Sequence, residues 1–189
     1  HYPLRRQRQM CIRDRITAHM DSVPMIVLCG QTITPMLGKD AFQEADVFGI
    51  SMPVVKHSYL VKKTQDIPRI IHESFHICNT GRPGPVLIDL PKDVTSAEGE
   101  FDLSPELDLP GYTFPEHGDT DMIKSIAKAL KNARRPLLMV GHGAVLSKAD
   151  AAVTKLAETL NVPVISTLLG KGAFSENHKL SLGMLGMHG

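Results

Sequence analysis

One six-residue run, 85–90 (PVLIDL), constrains the fold of this 189-residue chain more than any other feature. It follows a Gly-Pro-rich turn, and only its aspartate is polar. Such a run predicts a strand buried on both faces, which is typical of parallel sheets covered by helices. We expect a second fully buried strand at residues 24–28 (PMIVL). Together the two runs predict a parallel α/β sheet.

Helices are predicted between these strands. Asp66 is expected to cap a helix that has Pro68 in its first turn and that ends at Gly81. Asp40 is expected to cap a shorter helix that begins with AFQEAD. The longer helix has apolar side chains at helical spacing, at Ile67, Ile70, Ile71, Phe75 and Cys78.

A second α/β unit is predicted after residue 118. Residues 119–133 have the spacing of an amphipathic helix, and residues 136–140 and 163–167 are expected to be strands. Ser147 and Asp150 have the spacing of a capping box, which would open a helix that runs to Leu160. No closing element is apparent after the last of these strands. We therefore expect two domains, both incomplete, joined by the proline-rich and acidic stretch 94–118.

Composition excludes several classes of protein. Hydrophobic residues make up 42% of the chain and charged residues 22%, which is typical of a globular protein and not of a disordered one. No apolar run approaches the roughly 20 residues that a membrane-spanning helix needs. The three cysteines lack metal-ligand spacing, so we expect reduced thiols, a cytoplasmic location and no metal bound by these residues.

The first fifteen residues differ in charge from the rest of the chain. They hold five of the 21 basic residues and one of the 20 acidic residues, which leaves 16 basic and 19 acidic residues elsewhere. A basic arm would indicate nucleic-acid binding or targeting. However, this stretch resembles a translated sequencing-library adapter, so we interpret residues 1–15 as non-native and expect no nucleic-acid partner.

Ligands of open α/β sheets bind at the carboxyl ends of the strands. Three places fit this rule: Gly30 with Gln31, residues 91–93, and the turn 141–143 with residues 167–168. Lys92 could attract a carboxylate or a phosphate there, or it could be a solvated loop lysine. The Gly-His-Gly turn could direct backbone N–H groups at a phosphate, or it could be a plain strand-to-helix turn.

Histidines are abundant, and two of them have the spacing of metal ligands. His72 and His76 lie four residues apart on one predicted helix, but no third ligand motif accompanies them, so exposed structural histidines are the better interpretation. His57 and His188 are expected beside loops, where they could contact a ligand.

Four stretches together resemble the acetolactate synthase (acetohydroxyacid synthase) large subunit: HMDSVPMIVLCGQ, GKDAFQEADVFGISMPVVKHSYLV, TGRPGPVLIDLPKDV and LGMLGMHG. The resemblance extends from residue 16 to residue 189. It implies that residues 16–93 are the C-terminal half of a thiamine pyrimidine-binding domain and that residues 94–118 are a linker. Residues 119–189 would be a truncated central domain, a Rossmann-like domain that binds FAD. Each domain would have three layers around a parallel sheet.

The resemblance also implies roles for individual residues. Gln43 and Lys92 would line the channel to the active site, next to Ala41 and Phe42. Arg82 would contact FAD, as would three loops of the central domain. These loops contribute Gly141, His142, Gly143, Thr167, Leu168, Leu185, Gly186, Met187 and His188.

In the longer protein, the resemblance implies an acyltransferase of branched-chain amino acid synthesis that uses thiamine diphosphate, Mg²⁺ and FAD. It would condense two pyruvates, or pyruvate and 2-oxobutyrate, with loss of CO₂. A homodimer with a regulatory small subunit is expected. Most residues that bind thiamine diphosphate and Mg²⁺ would lie outside residues 16–189, so the chain alone is expected to be inactive. Two alternatives are another thiamine-diphosphate-dependent carboligase or 2-oxo acid oxidase, and a non-catalytic module that binds FAD or another nucleotide.

Overall fold

The computed structural model describes residues 12–42, 44–102, 105–115 and 117–187. The chain divides into two compact units, His1–Phe114 and Pro115–Gly189, each with its own sheet. This division falls inside the stretch 94–118 that the sequence predicts as a linker. Among the described residues, no helix is both long and apolar enough to span a membrane.

The first unit is built around a three-stranded parallel sheet of order β1-β3-β2. Its strands are β1 (Met25–Gln31), β2 (His57–Leu60) and β3 (Pro85–Pro91). Its helices are α1 (residues 12–20), α2 (Val47–Ser51), α3 (Ile67–Asn79) and α4 (Lys92–Ser96). The parallel α/β fold class predicted from the sequence is confirmed.

The position of each strand in this sheet explains its burial. The central strand β3 is buried at every residue except Leu90, as its apolar sequence predicts. β1 lies at one edge, where Leu28 is 63% exposed, so the prediction of a fully buried strand was wrong there. The sequence did not predict β2, because its alternating polar residues do not form an apolar run. Pairing with β3, from His57↔Val86 to Leu60↔Asp89, forms this strand.

α3 begins with Pro68 in its first turn, and its C-cap is Thr80. Asp66 occupies the N-cap position, but its side chain makes no capping hydrogen bond. Two of the predicted apolar positions, Ile71 and Phe75, are 40% and 58% exposed. The helix instead buries Glu73, Ser74 and Ile77 alongside Ile70 and Cys78.

The short helix predicted after Asp40 does not form at the described residues 41–42 and 44–46. Asp40 has a φ of +53°, and α2 begins seven residues later, at Val47. Asp46 caps it, because its side chain accepts a hydrogen bond from the backbone N–H of Gly49. A short carboxylate at the true boundary thus determines where this helix begins.

The described part of the stretch 94–118 begins with the end of α4 and then has no regular structure up to α5. It still packs on the first unit, because Leu109 and Tyr112 contact the cluster of Ile77, Cys78 and Val86. Leu109 and Tyr112 are therefore anchored at the C-terminal end of α3.

The second unit has a parallel sheet of order β4-β5-β6. Its strands are β4 (Leu138–Val140), β5 (Val164–Ser166) and β6 (Ser181–Met184). Its helices are α5 (Thr120–Asn132), α6 (His142–Leu146) and α7 (Asp150–Leu160). The strand β6 was not predicted, since SLGM has neither an apolar run nor a clear alternation.

The predicted capping box at Ser147 and Asp150 was wrong. Ser147 is the C-cap of α6, and its hydroxyl donates to the carbonyl of Gly143. The N-cap of α7 is Ala149, which has no side chain that could cap. By contrast, Asp119 caps α5 by accepting a hydrogen bond from the N–H of Met122.

Candidate functional site

Two of the three predicted strand ends meet in one cleft of about 500 Å³ in the first unit. Residues 28–33, at the end of β1 and in the loop after it, form one side, and Leu90, Lys92 and Thr95 form the other. Phe42 completes the lining and is 88% exposed. We refer to this feature as the β1–β3 cleft. It lies where the parallel register places the carboxyl ends of both strands, with Gln31 opposite Pro91.

Lys92 is the cation of the β1–β3 cleft. It is exposed and is the first residue of α4, directly after β3. The next residue, Asp93, fastens α4 to the opposite loop by accepting hydrogen bonds from the backbone N–H of Thr34 (3.0 Å) and its hydroxyl (2.5 Å). These bonds, the one from the hydroxyl first, lower the pKa of Asp93. The lysine is thus held beside the cleft by a cross-link between its two walls.

A buried carboxyl lies behind the same strand ends. Asp89 of β3 is 1% exposed, and its Oδ2 accepts a hydrogen bond of 3.0 Å from Gln31 Nε2. Burial raises the pKa of this carboxyl, and the bond from Gln31 opposes the rise. No role was predicted for Asp89, although a carboxylate inside an otherwise apolar strand is a visible signal in the sequence.

Of the residues expected by resemblance at the channel, the structure places Phe42 and Lys92 on one cleft. Ala41 is half-buried beside Phe42, and its N–H donates to Glu44 Oε2 (2.9 Å). Gln43 lies outside the described residues.

Arg82 makes contacts within the first unit. Its Nε donates to the hydroxyl of Ser22 (2.8 Å), and its Nη2 donates to the carbonyls of His19 and Met20. These groups lie at the C-terminal end of α1, where carbonyls lack helical partners. In this chain the guanidinium therefore caps α1.

The third predicted place is the carboxyl edge of the second sheet, here named the β4–β6 edge. Gly141 follows β4, Thr167 follows β5 and Leu185 follows β6, so the parallel strands bring all three to one edge. The N–H of Thr167 donates to Val140 (2.9 Å), and that of Leu185 donates to Ser166 (2.8 Å). The loops expected to bind a cofactor are thus neighbours.

Side chains at the β4–β6 edge are unusually exposed for apolar residues. Leu168 is 68% exposed, Leu185 is 55% exposed and Met187 is 92% exposed. His142, at the start of α6, has a buried Nδ1 with no hydrogen-bond partner among the described residues. Gly143 has open space around it, and Gly186 has a φ of +142°. His188 lies outside the described residues.

Three further histidines have structural partners. His72 Nδ1 lies 3.0 Å from the carbonyl of Pro105, and His76 makes an edge-to-face contact with Tyr112. His57 is the first residue of β2, next to the loop that precedes the strand, and its ring contacts that of Tyr59 edge-to-face. Among the described residues, no group of three or more His, Cys, Asp or Glu side chains could hold a metal ion.

Comparisons with known proteins indicate the family. Residues 123–189 match the family described as thiamine pyrophosphate enzyme, central domain. The chain is 49% identical to an acetolactate synthase of Arthrospira platensis and 46% identical to an acetolactate synthase large subunit of Corynebacterium glutamicum. These matches cover 92% and 91% of the chain but only 31% and 28% of the relatives, so the chain spans under a third of their length.

A solved structure shares the fold. It belongs to a protein assigned as a thiamin diphosphate-dependent enzyme of Mycobacterium smegmatis, with a TM-score of 0.76 and 24% identity over 93% of this chain and 34% of that one. The sequence matches cover nearly the whole chain at close to half identity. Nearly the whole chain therefore corresponds to one segment of acetolactate synthase large subunits, and its residues 123–189 belong to the central-domain family of thiamine pyrophosphate enzymes.

Proposed function

We propose that this chain is the part of an acetolactate synthase large subunit that supplies the β1–β3 cleft and the β4–β6 edge. The longer enzyme would condense two pyruvates, or pyruvate and 2-oxobutyrate, with loss of CO₂, as a cytoplasmic homodimer with a regulatory small subunit. The observation that carries this proposal is the identity of 46–49% to acetolactate synthases over more than nine-tenths of the chain.

In the β1–β3 cleft, Lys92 would attract the carboxylate of a 2-oxo acid, because an exposed ammonium at a strand end raises the local concentration of anions. The exposed ring of Phe42 would give the short apolar end of such a substrate a surface to pack against. Gln43, two residues before Ala45 in the same segment, would be a further channel residue. Cation, aromatic ring and amide together suit a small 2-oxo acid.

Thiamine diphosphate would supply the decarboxylation and carbon–carbon bond formation, while the protein binds and orients the reactants. The described residues contain no cluster of three potential metal ligands. They do not fit a Mg²⁺ site, and we assign neither Mg²⁺ nor the diphosphate to side chains of this chain. We therefore propose that the chain is inactive without the rest of the longer protein.

The β4–β6 edge fits FAD better. Leu168, Leu185 and Met187 offer exposed apolar side chains against which a flat ring system can pack. His142 has a buried nitrogen that needs a partner. Gly141, Gly143 and Gly186 would let a ligand approach the backbone, and Thr167 borders the same edge. Because Arg82 already caps α1, a contact of this residue with FAD would require its exchange of partners.

The proposal can be tested with a chimera. Residues 16–189 would replace the matching segment of the Corynebacterium glutamicum large subunit, and acetolactate formation from pyruvate would be measured. We expect an active chimera, with kcat/KM lowered at least tenfold by Lys92→Met and unchanged by Lys62→Met, another exposed lysine of the same unit. A folded chimera that consumes pyruvate but releases acetate would favour the 2-oxo acid oxidase instead.

FAD binding can be tested on the chain itself by the quenching of flavin fluorescence. Met187→Ala and Leu168→Ala should weaken binding several-fold, whereas Leu182→Ala, at a residue of β6 that is 64% exposed, should not. Flavin binding by the chain together with an inactive, folded chimera would favour the non-catalytic module.

A further inference from the structure

The side-chain amide of Gln31 is fully engaged at the end of β1. Its Nε2 donates to the carbonyl of Ala45 (2.8 Å) and to Asp89 Oδ2 (3.0 Å), and its Oε1 accepts from the N–H of Thr32 (2.9 Å). These partners are 14, 58 and one residues away in the sequence. One amide thus joins the edge strand, the central strand and the segment before α2.

Asp89 holds the Gln31 amide to the central strand of the sheet. It belongs to the central strand, it is 1% exposed, and its Oδ1 has no hydrogen-bond partner among the described residues. Leaving a buried carboxyl oxygen without a partner costs free energy. The hydrogen bond that the other oxygen accepts from Gln31 therefore contributes more to the stability of the fold than the same bond would at the surface.

The segment 41–46, described at every residue except 43, is held largely by its own polar groups. Glu44 accepts hydrogen bonds from the N–H groups of Ala41 and Gly38, and the N–H of Val47 donates to Ala45 (2.7 Å). These bonds give the segment a shape but do not fasten it to the sheet. The bond from Gln31 to the carbonyl of Ala45 joins the segment to the end of β1.

We infer that Gln31 and Asp89 are a positioning pair that holds the segment 41–46 against the sheet and so determines where Phe42 stands over the β1–β3 cleft. Neither side chain needs to touch a substrate for this role. The consequence for a bound 2-oxo acid rests on the proposed function, but the effect on the segment does not.

The effect on the segment is measured in the 189-residue chain by amide hydrogen exchange. Gln31→Met keeps the length of the side chain and removes its hydrogen bonds, so the N–H groups of Glu44 and Val47 should exchange about three- to tenfold faster. Amides of β3 should keep their rates, which shows that the sheet is intact. Unchanged rates at residues 44 and 47 would overturn the inference.

Substitutions at Asp89 provide a second, independent measurement. Asp89→Asn retains an oxygen that can accept from Gln31 and should keep the segment protected, whereas Asp89→Leu removes it and should reproduce the effect of Gln31→Met. A general loss of folding in Asp89→Leu would show in the β3 amides. In that case, the exchange rates at residues 44 and 47 in Gln31→Met still test whether Gln31 holds the segment 41–46 against the sheet.

The active chimera then separates positioning from stability. Gln31→Met should lower kcat/KM for pyruvate several-fold while the thermal transition stays within a few degrees, and Asp89→Asn should restore most of the activity lost in Asp89→Leu. A chimera without any activity would count against the proposed function alone, because the exchange measurement does not depend on it. Normal kinetics together with faster exchange would show that the segment moves without affecting the substrate, which would overturn the role of the pair at the cleft.

Discussion

Tyr59 donates a hydrogen bond of 2.8 Å to Glu73 Oε2 and thereby joins β2 to α3. The carboxylate is 2% exposed, and its other oxygen accepts from Arg69 Nη1, also at 2.8 Å. We predict that Tyr59→Phe lowers the free energy of unfolding by about 1–2 kcal/mol, because it leaves a buried oxygen without this donor. Urea denaturation would measure the loss. Equal stability of variant and parent would show that the bond contributes nothing.

From the same contact we predict how the stability of the fold changes at high pH. Burial, followed by the hydrogen bond to Glu73, raises the pKa of Tyr59 well above its usual value near 10. A raised pKa in the folded state stabilises the fold below pH 10, and this contribution is lost as the pH rises further. We expect stability to fall more steeply between pH 9.5 and 11 in the parent than in Tyr59→Phe. Tyrosinate absorbance at 295 nm would report the late ionisation directly.

We predict that His57 makes the fold less stable at low pH. Burial lowers its pKa, and the nearby charge of Glu73 only partly opposes this. The unfolded chain therefore binds a proton more readily near pH 6, so the contribution of neutral His57 is present above about pH 6.5 and lost as the pH falls. His57→Gln should lose less stability than the parent between pH 7.5 and pH 5.5. An NMR titration of the imidazole would contradict the prediction if its midpoint lay above 6.5.

Gly170 cannot accept a side chain without a shift of the backbone. A Cβ atom there would lie 2.3 Å from the carbonyl oxygen of Val140, the last residue of β4. We predict that Gly170→Ala lowers stability by about 1–3 kcal/mol, as overpacking does. Gly143→Ala is the matched control, because nothing lies within 4 Å of the added methyl group. Thermal unfolding of the two variants should differ clearly.

Lys56 anchors the segment that leaves the first unit. Its Nζ donates to the carbonyls of Ile77 and Thr80 at the end of α3 and lies 5.4 Å from the centre of the Tyr112 ring. Lys56→Met should cost about 1–3 kcal/mol, since it removes two charge-assisted bonds and a cation–π contact. It should also speed amide exchange at Tyr112, whose N–H donates to Leu109. Lys62→Met, at an exposed residue, should change neither.

Much of the architecture follows from local patterns. The apolar run of β3 and the helical spacing of α3 and α5 were sufficient to place these elements and to predict parallel sheets. Parallel strands end at the same edge, so the sequence also indicated where Lys92 and Thr167 would lie. Family-specific motifs such as DAFQE and LGMLGMHG carried the family assignment, which the comparisons support.

Other features were not visible in local patterns because they depend on partners far away in the chain. β2 and β6 are four-residue strands that exist through pairing with β3 and β5, and β1 is half-exposed because it lies at an edge. Glu73 looks like a surface residue of α3 until Tyr59 and Arg69 enclose it.

The sequence by itself indicated the α/β class and the family and predicted the strand ends at which ligands would bind, because apolar runs, helical periodicity and short motifs are local properties. The tertiary structure decided which side chains cooperate there. Gln31 meets Asp89 across 58 residues of sequence, and Thr34 meets Asp93 across 59. Such contacts form only when β1 and β3 pair in register. That pairing brings together the residues that follow the two strands, and it buries the carboxyl of Asp89, which binds Gln31.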